Sequence, residues 1–272
     1  MNAAAASLPR RAARPRRLLA AIGAPVLLGL RWAARLAGFA AAIVGHALRA
    51  RTWRRTVRAT FERELRDAGV RALPAVLAAA ALVGVGLVAQ GLYWLQAAGQ
   101  VNLIGGILRT VLVREIAPIL VGLILVGRSG ITALIEIGTL RAGGQLRMLE
   151  TQGVDPFHLL VVPRVVAMSV AGFCLTVAFI VASLVSGFVA ASVLGLFQLS
   201  LVEFVDRVLA DLGPGTFALV ALKSVGIGFA AATLCCFTAL GTRLEPARAV
   251  PGGFMSALIG VLTVNGALSV FL

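Results

Sequence analysis

Charged residues are scarce in this 272-residue chain: 13% are Asp, Glu, Lys or Arg, whereas 60% are hydrophobic. A typical soluble domain has about half apolar residues and about a quarter charged ones. The imbalance excludes a soluble globular domain. The apolar residues form runs of about twenty residues, the length that crosses about 30 Å of hydrocarbon. The sequence therefore predicts one all-α, polytopic membrane domain.

The residue types that commonly carry enzyme chemistry are also few. The chain has three cysteines and two histidines, and its only lysine is Lys223. Cys174, Cys235 and Cys236 lie in apolar runs without CxxC spacing, so we expect buried small hydrophobes rather than a disulfide or a zinc site. GxSxG, HExxH and Walker A patterns are absent. We therefore predict no catalytic residue, no metal and no cofactor, and an energy-coupled function would need another subunit.

Basic charge is concentrated near the N-terminus. The net charge is +14, and residues 1–71 contain 15 arginines against three acids, Glu62, Glu64 and Asp67. A basic block before apolar spans matches the attraction of arginine to anionic headgroups and the excess of basic residues in cytoplasmic segments. We therefore predict a membrane partner, no nucleic-acid partner and a cytoplasmic N-terminus.

Three regions follow from this composition. Residues 1–17 lack an apolar period and are predicted to be a disordered basic tail. Residues 18–71 are predicted to form interfacial, amphipathic helix, because Trp53, Val57, Phe61 and Leu65 share one helical face. The apolar run after residue 17 also has features of a signal peptide, which stays open as an alternative. Residues 72–272 are predicted to form the five-span domain.

The five spans are predicted at about residues 72–96, 101–127, 159–194, 217–241 and 254–272. A cytoplasmic N-terminus then places segments 128–158 and 242–253 inside, and segments 97–100 and 195–216 outside. The inside segments carry five arginines, whereas the outside segments carry one arginine against three acids. This distribution agrees with the positive-inside rule.

Charges within the spans are candidate functional residues. Arg114 and Glu115 lie in the second span, where a charged side chain costs about 2.5–3.5 kcal/mol on insertion scales. Adjacent helical residues point about 100° apart, so other helices or a ligand must supply partners. A cavity lining and a structural ion pair both remain open. Lys223 in the fourth span either extends to the outer interface or faces the same cavity.

The inside segment 128–158 mixes apolar and charged residues. It predicts a helix that ends at Gly143-Gly144, a short helix, and a turn at Gly153-Val154-Asp155-Pro156. A structured segment of mixed polarity is suited to docking on a motor domain, and an ordinary solvated loop is the alternative.

One ordered motif extends over about residues 111–166. Its elements are Arg114-Glu115 with Pro118, Gly127-Arg128-x-Gly130, Glu136-Ile137-Gly138, Gln145, Leu149-Glu150, Gly153-Val154-Asp155-Pro156 and Pro163-Arg164. This motif closely resembles the signature of MlaE/YrbE-type permeases, the membrane subunits of ABC transporters that work with MCE proteins. The similarity continues more weakly through Lys223-Ser224, and the order of the five spans agrees over the whole chain.

The resemblance implies a multi-pass, homodimeric permease of the bacterial inner membrane with phospholipid as cargo. The implied partners are a cytoplasmic ABC ATPase, a periplasmic MCE-domain lipid-binding protein and, as a further candidate, a small STAS-domain subunit. The implied lipid-cavity residues are Arg114, Glu115, Lys223 and Asn265. The implied ATPase-coupling residues are Glu136, Arg147, Leu149, Glu150 and Asp155.

The chain departs from the family pattern at three places. The family usually has Glu-Gln-Ile-Asp-Ala-Leu where this chain has Gly144-Gln145-Leu146-Arg147-Met148-Leu149, so two acids are missing from the expected ATPase-facing surface. An acid usually stands where Asn265 is found. The loop EPARAVPGG lacks the usual Gly-Val-Gly and Ala-Thr-Thr pattern. These changes affect the expected ATPase partner and cavity chemistry, not the expected fold.

The sequence therefore predicts the permease subunit of an ABC transporter that moves phospholipid or a related lipid between the inner and outer membranes and so maintains outer-membrane lipid asymmetry. The alternative is a non-conducting membrane scaffold of an envelope lipid-trafficking complex. A membrane-embedded lipid enzyme is disfavoured, because it would need clustered Asp, His or Ser nucleophiles at one interface.

Overall fold

A computed structural model describes residues 13–49, 53–97, 99, 104–195, 203, 214–241 and 246–271. These residues form helices joined by short turns, with no strand among them. The chain divides into two compact units, Met1–Ala42 and Ile43–Leu272. The described part of the first unit is helical, and the second unit contains the other elements. The predicted all-α fold class is confirmed.

The helices follow the chain in a simple order. They are α1 (Ala13–Ala47), α2 (Arg55–Leu65), α3 (Leu73–Ala97), α4 (Ile104–Leu108), α5 (Ala117–Leu125), α6 (Ile131–Ala142), α7 (Gln145–Thr151), α8 (Val162–Val193), α9 (Pro214–Gly241) and α10 (Pro246–Phe271). Wider π-helical segments occupy Arg66–Val70, Arg109–Ile116, Val126–Gly130 and Phe157–Val161. Segments of this kind are rare and are often found at functional sites.

Among the described residues, five helical runs are long and apolar enough to cross a membrane, which confirms the predicted number of spans. They are Arg55–Leu95, Gly105–Ala142, Phe157–Val193, Gly215–Gly241 and Val250–Val270. The second run is longer than predicted because the chain stays helical from Ile104 to Ala142 through two π-helical segments. The last helix begins at Pro246 rather than Phe254, and proline is tolerated in a first helical turn because its missing N–H has no partner there.

Two expectations near the ends of these runs change. Helix α1 begins at Ala13, so the last five residues of the predicted 1–17 tail are helical, and residues 1–12 lie outside the described residues. Most of the predicted outside segment 195–216 also lies outside them. Among the cysteines, Cys235 and Cys236 are buried as expected, whereas the expectation of burial is wrong for Cys174, which is exposed.

Helix α8 is the central element of the second unit. It packs against α2, α3, α5 and α9, and its Phe179 is fully buried. Small residues allow the close approach of α3 and α8. A Cβ atom at Gly84 would overlap the carbonyl of Ser183, and one at Gly187 would overlap Val88. Such glycine contacts are common between membrane helices, where close van der Waals packing replaces the hydrophobic effect.

The predicted helix, break, short helix and turn over residues 131–156 is confirmed. Helix α6 ends at Ala142, and Gly144 has a φ of 70° that residues with a Cβ rarely adopt. Helix α7 follows at once and ends at Thr151. Gly153 has a φ of 76°, and its N–H donates to the Glu150 carbonyl at 3.0 Å. Two left-handed glycines therefore set the direction of α7.

Candidate functional site

Arg114 and Glu115 lie in the eight-residue π-helical segment Arg109–Ile116, between α4 and α5. Pro118 follows in the first turn of α5, and because the helix is continuous through this point its missing N–H removes one backbone hydrogen bond. In the isolated chain, 32% of the Arg114 side chain and 34% of the Glu115 side chain are exposed. Both charges thus reach the surface of a candidate span, on the same short segment.

Glu115 is bound by side chains from two other helices. Its Oε1 atom accepts a hydrogen bond from Lys223 Nζ of α9 at 2.9 Å. Its Oε2 atom accepts bonds from Ser269 Oγ at 2.9 Å and from Asn265 Nδ2 at 3.2 Å, both of α10. We call Arg114, Glu115, Lys223, Asn265 and Ser269 the intramembrane cluster.

Lys223 is the deepest member of the intramembrane cluster, with 0% of its side chain exposed. Its ammonium also donates to Ser269 Oγ at 2.6 Å and to the Arg114 carbonyl at 3.2 Å. All three N–H donors therefore have acceptors within the protein. In the isolated chain the ammonium therefore lies against Glu115 and is not exposed at the surface.

Arg114 forms the outer edge of the intramembrane cluster. Its Nε atom lies 3.8 Å from Glu115 Oε1, so the two neighbouring residues do form a long ion pair. The expectation that partners for Glu115 come from other helices is also met. Lys223 already neutralises Glu115 at a shorter distance, so the exposed Arg114 guanidinium remains able to bind a second anion.

The intramembrane cluster contains all four residues predicted for the cavity, plus one that the sequence did not single out. Ser269 Oγ lies 3.1 and 2.9 Å from the two oxygens of Glu115 and 2.9 Å from the carbonyl of Asn265 one helical turn earlier, so its single O–H donates to one of these acceptors at a time. A serine in an apolar helix gives no distinctive sequence signal, because such hydroxyls usually bond the preceding turn. The Oδ1 atom of Asn265 is buried without a partner among the described residues.

A second charged cluster joins three helices around Arg164 of α8. Its guanidinium donates to Glu64 of α2, to Glu136 of α6 and, at 3.5 Å, to the Ala133 carbonyl. Only 8% of the Arg164 side chain is exposed, and two carboxylates compensate for its burial. The predicted coupling residue Glu136 is therefore paired with Arg164, although 52% of its side chain is exposed. Arg164 was part of the sequence motif, but its spacing gave no indication of its partners.

Helix α7 carries the predicted coupling residues Arg147, Leu149 and Glu150, and no residue of this helix is buried. Arg147 and Glu150 are exposed, and Leu149 is half-buried. The neighbouring Met148 is 63% exposed. This large apolar side chain therefore lies on the surface beside the charged residues Arg147 and Glu150. This helix thus presents mixed polarity to its surroundings, as predicted.

The predicted coupling residue Asp155 belongs to a chain of hydrogen bonds. Its Oδ1 atom accepts the Phe157 N–H at 2.9 Å, and its Oδ2 atom lies 2.6 Å from His158 Nδ1. His158 Nε2 in turn lies 2.8 Å from Nδ1 of His46. The described residues give no hydrogen bond or ion pair that joins Asp155 to Glu136 or to α7. The five predicted coupling residues are thus spread over three places.

The electrostatics of this histidine pair are unusual. The pKa of His46 is lowered from its ordinary value by partial burial, then by the charges of His158 and Arg49, and Asp155 opposes this only in part. Two imidazoles that share one hydrogen bond cannot both be protonated without losing it. The contact therefore requires one neutral ring, and the lowered pKa of His46 favours His46 as that ring.

Comparison with known proteins places these features in a family. The family described as "Permease MlaE" matches residues 61–271. The protein TRIGALACTOSYLDIACYLGLYCEROL 1, chloroplastic, of Arabidopsis thaliana is 25% identical over 80% of this chain and 61% of its own length. A probable ABC transporter permease protein of Synechocystis sp. is 45% identical over 25% of this chain and 26% of its own length.

A third relative is the intermembrane phospholipid transport system permease protein MlaE of Haemophilus influenzae, which is 32% identical over 35% of this chain and 37% of its own length. The family match starts inside α2 and ends at the last residue of α10, so it includes the intramembrane cluster, the Arg164 cluster and α7. The chain therefore belongs to the MlaE permease family.

Proposed function

We propose that this chain is the membrane-spanning permease subunit of an ABC transporter that moves phospholipid between the inner and outer membranes. The observation that carries the proposal is the intramembrane cluster. A third of the Arg114 and Glu115 side chains is exposed on a candidate span, where contact with lipid tails would cost about 2.5–3.5 kcal/mol per charge. A polar cavity covered by a second copy of the chain would avoid this cost.

The chemistry of the exposed edge suits a phospholipid headgroup. Arg114 presents a planar guanidinium, which binds a phosphate through two parallel hydrogen bonds that are strong where water is excluded. Glu115 is held in place by Lys223, Asn265 and Ser269. Its carboxylate therefore provides a fixed ion-pair partner that positions the neighbouring Arg114 guanidinium. We therefore assign Arg114 as the headgroup-binding residue and the other four residues as its support.

The partners that we propose follow from the same family. ATP is hydrolysed by a separate cytoplasmic ABC ATPase, which docks on α7 and the turn after it. An MCE-domain protein receives or delivers lipid on the periplasmic side, and a small STAS-domain subunit is a further candidate partner. The permease is a homodimer in the inner membrane with its N-terminus in the cytoplasm. The name of the Haemophilus relative, a phospholipid transport permease, supports phospholipid as the cargo. The name of the Synechocystis relative, an ABC transporter permease, supports an ATPase partner.

The test is the phospholipid content of the purified complex with Arg114→Ala. We expect normal assembly, less phospholipid per permease dimer and no stimulation of ATPase activity by added lipid. Arg114→Lys should restore little, because an ammonium lacks the bidentate geometry. Arg58→Ala removes the same charge from an exposed position of α2 and serves as the control.

Two outcomes would overturn the proposal. Phospholipid content of Arg114→Ala equal to that of the wild type would remove Arg114 from the lipid path. ATPase activity of the wild-type complex that is insensitive to lipid would favour the non-conducting scaffold.

A further inference from the structure

A second charged cavity lies apart from the intramembrane cluster. It measures about 1150 Å³ and opens between α2 with its π-helical turn Arg66–Val70 on one side, and the turn Val126–Gly130 with α6 on the other. Arg164 of α8 is its most buried charged residue. The charged residues that line it are Arg63, Arg66, Arg71, Arg128, Arg164, Glu62, Glu64, Asp67 and Glu136.

Most of these charges are already paired. Arg164 holds Glu64 and Glu136, and Arg71 holds Asp67 at 3.0 Å. The charges that remain are Arg63, Arg66 and Arg128 against the single acid Glu62. Within the described residues, the side chains of these three arginines form no hydrogen bond or ion pair. The cavity thus offers three available guanidiniums in one place.

The position of the cavity fits the boundary between membrane and water. Helix α2 and its π-helical turn continue into α3 after Arg71 and Ala72, in the first candidate span. Arg128 lies in the second candidate span, between α5 and α6. Apolar side chains of Leu140, Leu159 and Leu160 line the same cavity. A ligand in this cavity can contact arginine guanidiniums with its polar group and leucine side chains with its apolar group.

We propose that this cavity binds the headgroup of an anionic phospholipid. Guanidiniums bind phosphate through directional, paired hydrogen bonds, and basic pockets between membrane helices are typical sites for acidic lipids. The volume is large enough for a headgroup and its glycerol. The site differs from the proposed transport site in residues and position, so it holds whether or not Arg114 binds the transported lipid.

The experiment counts bound lipid on the purified full-length chain by native mass spectrometry. The probes are phosphatidylglycerol, phosphatidylcholine and inorganic phosphate. Arg63→Gln/Arg66→Gln is compared with Arg55→Gln/Arg58→Gln, which removes two exposed arginines from the same helix outside the cavity. Arg128→Gln tests the opposite wall. Thermal unfolding of each variant is measured in parallel, and we expect it to match the wild type because the altered arginines have no partners.

The expected result is a preference for phosphatidylglycerol over phosphatidylcholine that weakens about fivefold for each cavity arginine removed. The Arg55/Arg58 control should keep that preference, and inorganic phosphate should not displace the lipid. Equal weakening in the control would overturn the proposal, because general surface charge would then explain the binding. Displacement by inorganic phosphate would overturn it in favour of a free-anion site. Loss of the bound lipid on addition of the partner ATPase would overturn it in favour of a protein-docking surface.

Discussion

Lys223 Nζ lies 2.9 Å from Glu115 Oε1, so the only lysine of the chain neutralises a carboxylate 108 residues away. The contact joins α9 to the π-helical segment of the second candidate span. Because the ammonium is fully buried, it cannot exchange its partner for a ligand without rearrangement of the helices. The side chains of the intramembrane cluster that a ligand can reach are therefore those of Arg114 and Glu115.

Replacement of Lys223 by methionine should destabilise the protein. Without the ammonium, Glu115 loses its shortest charged partner. Removal of one member of a fully buried pair typically costs about 3–5 kcal/mol, and we expect a smaller loss here because 34% of the Glu115 side chain is exposed. The free energy of unfolding in detergent is the quantity to measure. The double variant Lys223→Met/Glu115→Gln should recover most of the loss, because neither charge then remains. A double variant as unstable as the sum of the two single variants would contradict the pairing.

Leu149→Asp should leave the permease folded but prevent recovery of the ATPase with it. Helix α7 has no buried residue, so the substitution costs little in the free chain. At a docked interface it would bury an unpaired charge, at a cost of several kcal/mol. Thr151→Asp adds the same charge to an exposed position of the same helix and is the control. Co-purification is the measurement, and full recovery of the ATPase with Leu149→Asp would remove α7 from the coupling segment.

Acidification should weaken the contact between His46 and His158. The pKa of His46 is lowered in the folded protein, so the folded state binds fewer protons than the unfolded state. The stability that this group contributes is complete above its unfolded pKa of about 6.5 and is lost as the pH falls toward the folded value. The other charged and titratable groups that line the same cavity are Arg49, Arg54, Asp155 and His158.

The measurement is the unfolding temperature in detergent between about pH 7.5 and pH 5.5, where unperturbed histidine titrates. The wild type should lose stability with acid more steeply than His46→Ala, which lacks the group. Parallel curves for the two proteins would show that His46 titrates alike in the folded and unfolded states.

Gly228→Ala should disturb the packing of α8 against α9. A Cβ atom at Gly228 would lie 2.5 Å from the Met168 carbonyl oxygen and 2.9 Å from Ser169 Cα, both backbone atoms that cannot move aside locally. Overpacking of this kind costs about 1–3 kcal/mol. Gly226→Ala is the control, because its nearest atom would be Val264 Cγ1 at 3.5 Å, an ordinary contact. A lower unfolding temperature for the first variant alone is expected.

The sequence was sufficient for the number of spans and for the break around Gly143-Gly144, because hydropathy and glycine act locally. It also identified Arg114, Glu115 and Lys223, since charges are conspicuous among apolar residues. It could not identify their arrangement. Ser269 looks like any hydroxyl in a helix, and the contact between His46 and His158 links positions 112 residues apart. Contacts between residues so far apart in sequence depend on how the helices pack, and a local sequence pattern does not predict that packing.

The π-helical segment Arg109–Ile116 determines how this span tolerates insertions and deletions. A π turn closes its hydrogen bond over five residues and an α turn over four, so the wider turn absorbs one surplus residue without turning the rest of the helix. Loss of one residue there tightens the turn to α winding, and the faces of α5 and α6 keep their neighbours. Loss of one residue between Ile131 and Ile135, beyond the second π-helical segment, instead turns the rest of α6 by about 100° and carries Glu136 away from Arg164. Length changes along this span are therefore tolerated at its two π-helical segments and disruptive within α6.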